Sequence, residues 1–202
     1  MTGNELSRLY QVFSRYRRPT SLRGCPCCTD EETSRALIRG SLRDLSASAL
    51  SHYAFKALTT WGTLDDYRYF LPRILELTST GELDCDTEVT LGKLGYADWS
   101  LWPDDEQQAV RSFVSALWCE TIRSGKAWQA DAILCGIARS MSDISSFLAL
   151  ADSVDPFFRD IYRHKHSRAD KRKLTNSFWQ HSLPSYEQAL TWVYASGTNK
   201  RE

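Results

Sequence analysis

The run Arg23-Gly24-Cys25-Pro26-Cys27-Cys28-Thr29-Asp30-Glu31-Glu32 places three of the chain's six cysteines within four residues. Cys25 and Cys28 have the C-x-x-C spacing that closes round a tetrahedral zinc ion, and Cys27 could add a third thiolate. A structural site wants four ligands. No second C-x-x-C and no H-x-x-x-H occurs, so Cys85 or His52 would have to complete the set from elsewhere. Thiol redox chemistry is another reading, because a thiolate is stabilised at a helix N-terminus. Its usual setting is a strand–turn–helix in an α/β domain, and this chain lacks the strands. The favoured reading is plainer: small apolar thiols fill a tight turn beside the core. Cys119 and Cys135 lie inside helical apolar patterns and read as core.

Two charged stretches could bind partners. The basic one runs Arg159, Arg163, His164, Lys165, His166, Arg168, Lys171, Arg172 and Lys173, with Trp179 nearby. Such a run could hold phosphates and stack a base. It also suits the negative end of a helix dipole, in water. His164 and His166 have no acid or cysteine at a paired spacing, so they do not read as metal ligands. The acidic stretch holds Glu82, Asp84, Asp86, Glu88, Asp104 and Asp105, interleaved with Tyr96, Trp99 and Trp102. Aromatic anchors among guiding carboxylates are what a protein-binding patch uses. The competing reading is an ordinary loop whose tryptophans fold inward.

No catalytic signature is present: no G-x-S-x-G, no G-x-x-x-x-G-K-[ST], no G-x-G-x-x-G and no H-E-x-x-H. The paired acids Asp65-Asp66 and Asp104-Asp105 sit at helix starts, where capping accounts for them. These absences point to a protein that is not an enzyme.

The elements that must position these residues are helices. The 202 residues are 42% apolar and 12% aromatic, which suits one globular domain spanning 1–202. The 25 basic and 25 acidic side chains cancel, which argues against a nucleic-acid partner. No apolar run approaches the ~20 residues of a membrane span. Met1-Thr2-Gly3-Asn4-Glu5-Leu6 lacks a basic-then-apolar leader, so the expectation is cytoplasmic, with no membrane association and reduced thiols. Apolar residues recur at helical spacing through most of the chain, and no segment alternates long enough for a strand. Ser46, Thr63 and the box Thr29–Glu32 read as N-caps. Pro72 predicts a kink or a new helix start inside the segment that Thr63 opens. Residues 79–103 read as an irregular connection with a short helix near 87–94, and the tail from Ser196 as frayed. The expectation is all-α: about eight or nine helices packed as antiparallel pairs in a bundle, without a repeat period.

Three segments carry a resemblance. They are Gly24-Cys25-Pro26-Cys27-Cys28, Tyr53-Ala54-Phe55-Lys56-Ala57-Leu58-Thr59-Thr60-Trp61-Gly62, and Asp65-Asp66-Tyr67-Arg68-Tyr69-Phe70-Leu71-Pro72-Arg73. Together they resemble a group of small bacterial proteins. Some all-helical proteins of this look are similar to immunity proteins encoded beside polymorphic toxins of the rearrangement-hotspot type. The resemblance implies a protein that binds a cognate toxin and blocks its active site. It carries over no catalytic residue.

Overall fold

Apolar stripes at helical spacing turn into ten α-helices among the described residues. They are seen in a computed structural model that describes residues 3–195 apart from 28, 30, 169 and 170. The tail expected to fray from Ser196 lies outside the described residues. In order, the helices are α1 (Gly3–Phe13), α2 (Glu31–Arg39), α3 (Ala47–Lys56), α4 (Leu64–Thr80) and α5 (Thr87–Tyr96). Then follow α6 (Asp104–Ser124), α7 (Ala127–Ser140), α8 (Ser145–Val154), α9 (Phe158–His166) and α10 (Pro184–Tyr194). Two-residue strands β1 (Ser167–Arg168) and β2 (Lys173–Leu174) pair antiparallel inside the basic run. The fold is all-α. Its helices exceed eight or nine because each apolar-periodic segment forms its own, including α5 within 79–103.

The caps follow the sequence in two places and depart in a third. The Ser46 hydroxyl accepts the Ala49 N–H at 3.3 Å. Thr63 and Asp66 form a reciprocal box: the Asp66 N–H donates to Thr63 Oγ1, and the Thr63 N–H donates to Asp66 Oδ2. Thr29 behaves differently. Its hydroxyl and its N–H both donate to the Cys25 carbonyl, closing the cysteine loop, and α2 begins beyond it at Glu31. Pro72 starts no new helix, since α4 runs as one element past it. Tyr67, Phe70, Leu71, Ile74, Leu75 and Leu77 are buried on either side of the ring, and Pro72 is itself buried. That packing offsets a proline cost of about 3 kcal/mol in a helix interior.

One core cluster runs from Leu9 to Val193. Helix α1 lies against α4 and α6, α6 against α7 and α8, and α10 against α7, α8 and α9. Six of the seven tryptophans are buried in this cluster, while Trp128 is 71% exposed. Several buried indoles carry their N–H to a carbonyl, as Trp118 does to Phe147 at 2.9 Å. A buried indole needs such a partner.

Helices α5 and α7 meet more closely than side chains allow. A Cβ at Gly95 would come 2.6 Å from the Arg139 carbonyl, and one at Gly136 would come 2.8 Å from the Leu91 Cβ. Hydrogen at these positions is what lets the two backbones approach. The α4–α5 connection and the N-terminus of α7 are thereby held side by side.

Candidate functional site

The two corners singled out by sequence are joined in space. The Cys25 N–H donates to the Thr60 carbonyl at 2.9 Å, and the Gly62 N–H donates to the Arg23 carbonyl at 2.7 Å. Gly24 faces Trp61 across this bridge, and a Cβ there would meet Thr29 Cγ2 at 2.5 Å. Gly62 has φ +75°, and a Cβ on it would come 2.9 Å from the Tyr53 hydroxyl. Both glycines are required on steric grounds, and the left-handed φ of Gly62 is a second reason. Trp61 fills the corner against Tyr53 and His52. The Sγ atoms of Cys25 and Cys27 lie 2.8 Å apart. Cys28, the third expected ligand, lies outside the described residues. Among the described residues no three His, Cys, Asp or Glu side chains converge as a metal cage.

The expected acid-and-aromatic stretch divides into three environments. Trp99 and Trp102 point into the core, 3% and 4% exposed, and donate to the carbonyls of Ser140 and Ala97. Asp105 pairs with Arg15 in the turn after α1, beside a buried Glu106 that accepts from the Tyr16 hydroxyl at 2.7 Å. Asp104 stays exposed at the start of α6, and Tyr96 is exposed at the end of α5. Glu88 is buried and accepts from the Asn176 amide at 2.7 Å. Only Glu82, Asp84 and Asp86 remain as an open acidic group.

Those three acids line a groove of about 1020 Å³ between α3, the α4–α5 connection and the start of α7. Gly81, with φ +75°, ends α4 and turns the chain into this connection. Leu83 is buried and fixes the connection to the core, and the Asp84 N–H donates to Ser51 Oγ at 2.9 Å. The carboxylates on either side of Leu83 are thus held at the groove on an anchored loop. The exposed rings of Phe55 and Trp128 stand among its walls. No Lys or Arg lines it, and none of the three acids takes part in an ion pair among the described residues. Cys85 lies in the same groove, where burial pushes its thiol pKa up and so keeps it protonated. Trp128 is the residue that sequence reasoning passed over, because its position at the head of α7 fits a core stripe as well.

A second cluster of acids lies beneath. Asp131 accepts from the Tyr162 hydroxyl and, at 2.9 Å, from the same Asn176 amide that serves Glu88. His166 Nδ1 lies 3.8 Å from Asp131 Oδ2. Burial, with Asp131 beside it, pushes the Tyr162 phenol well above its ordinary range. This arrangement ties α5, α7, α9 and the segment after β2 together, and its acceptors are occupied by internal donors.

Two members of the basic run are paired internally. Arg159 pairs with Asp152 and Arg163 with Asp160, and the remaining cations fall at the end of α9 and along the β1–β2 pair. Residues 169 and 170 within it lie outside the described residues.

Compared with known proteins, the chain matches no family model, no curated protein and no solved structure. No helix among the described residues is long and apolar enough to cross a membrane.

Proposed function

We propose that this chain works by binding another protein, as an immunity protein that occludes a toxin domain, through the groove walled by Glu82, Asp84, Asp86, Phe55 and Trp128. The observation that carries this reading is an open acidic groove with no cation of its own and two exposed aromatic side chains among its walls. Exposed rings give such a surface its anchors, and unpaired carboxylates steer and orient a basic partner. Toxin domains that act on nucleic acids must carry positive charge at their active sites, which an acidic groove would meet. Occupation rather than turnover also fits the buried acids, whose lone pairs Tyr162 and Asn176 already use. The resemblance of the segments up to Arg73 to immunity proteins points the same way.

The test is co-expression with the product of the neighbouring reading frame, followed by size exclusion. A one-to-one complex is expected. Separate elution of the two chains at micromolar concentration would sink the reading.

A further inference from the structure

A second depression, of about 220 Å³, adjoins the acidic groove and shares Phe55 with it. Its charge is the opposite. Lys56, Lys93 and Arg139 line it, together with Thr59, Thr60 and Tyr96, and among the described residues no carboxylate does. Lys93 is the unusual member. It is 4% exposed, yet its ammonium meets only neutral acceptors: the Ala57 carbonyl at 2.7 Å and Thr59 Oγ1 at 3.5 Å. Neither Lys93, Lys56 nor Arg139 has an ion-pair partner among the described residues. Arg139 gives one N–H to the Phe178 carbonyl, while its Nε is buried without an acceptor. The Thr60 hydroxyl is likewise buried without a partner. The Lys93 ammonium also lies over the Tyr96 ring at 5.3 Å.

A buried cation is stable when an anion or several strong acceptors compensate it. Here three cations and an orphaned hydroxyl converge on one small space that holds no acid. Burial, with Lys56 adding repulsion, pulls the Lys93 pKa below its ordinary value, as expected of a cation still lacking its counter-charge.

We infer that this depression is an oxyanion site for a phosphoryl group, held by Lys93, Lys56 and Arg139 with Thr60 as an added donor. The charge of a phosphate dianion suits a set of three cations better than a single carboxylate does, and a guanidinium with two ammoniums offers the charge-assisted donors phosphate takes. The inference is independent of the protein-binding reading, because the acids of the neighbouring groove play no part in it.

Isothermal titration of the whole chain with inorganic phosphate, at ionic strength held constant with chloride, tests it. Saturable one-site binding is expected. Lys56→Ala and Arg139→Gln should each weaken it about tenfold or more, and Lys93→Met should abolish it. Lys56 is partly exposed, so its substitution keeps the test valid if Lys93→Met unfolds the chain. Adenosine monophosphate should also bind, and tighter binding than phosphate would assign a phosphomonoester as the source. Heats no larger than those of chloride, acetate binding as tight as phosphate, or unchanged affinity in Lys56→Ala and Arg139→Gln would each overturn the site.

Discussion

Asn176→Ala should cost the fold about 3–5 kcal/mol, the range for breaking a buried charged network by removing one partner. Its amide donates to Glu88 Oε1 at 2.7 Å and to Asp131 Oδ2 at 2.9 Å, and both carboxylates are buried. Without that amide, two buried acids face each other with the Tyr162 hydroxyl serving only one of them. Each lost bond to a charged group is worth about 1.5–3 kcal/mol, before any repulsion is added. Urea denaturation measures the effect as a lower midpoint at unchanged slope. The double variant Asn176→Ala/Glu88→Gln should recover part of the loss, because it removes one of the two charges. A loss below about 1 kcal/mol in the single variant would mean that water replaces the amide, and that the node does not organise α5 against α7.

Asp84→Lys/Asp86→Lys should abolish partner capture while leaving the fold intact. Both side chains are exposed, and neither takes part in an ion pair among the described residues. Reversal therefore changes the surface field, with a small added cost at Asp86, the N-cap residue of α5, where a cation meets the positive end of the helix. Losing contacts to charged partner groups costs about 2–5 kcal/mol each, so affinity should fall by at least about a hundredfold. Trp128→Ala should act by a different route. A ring 71% exposed in the free chain is a ready anchor, and truncating such anchors costs about 2 kcal/mol or more. Raised salt should weaken the native complex, since exposed charges are screened within about 10 Å at 0.1 M ionic strength. Wild-type affinity in the charge-reversed chain would remove the groove from the interface.

The helices were readable because their signal is local. Apolar spacing places α6 or α7 without knowledge of any neighbour, and Ser46 and Thr63 cap as their side chains dictate. At Pro72 the local cost of a proline is real, and only the buried side chains around it show how one continuous α4 meets that cost. The site was less legible. Glu82, Asp84, Asp86 and Glu88 look alike in a row, yet Glu88 lies in the first turn of α5 and meets Asn176 far along the chain. Trp99 and Trp102 share the composition of an exposed anchor, and their indoles instead find carbonyls inside the core. Trp128 shares the composition of a core residue and stands outside. Nothing in the local sequence marks Lys93 as buried. Its ammonium instead reaches the corner at the end of α3, donating to the Ala57 carbonyl at 2.7 Å across 36 residues of sequence, a pairing that no local spacing announces.

The most direct test of the groove as the working surface is amide hydrogen exchange on the chain alone and in complex with its co-expressed partner. Slowed exchange confined to the Gly81–Glu88 connection, the facing part of α3 and the start of α7 at Trp128 is the predicted result. A complex that protects α9 and the β1–β2 pair, while Gly81–Glu88 exchanges as in the free chain, would contradict the account.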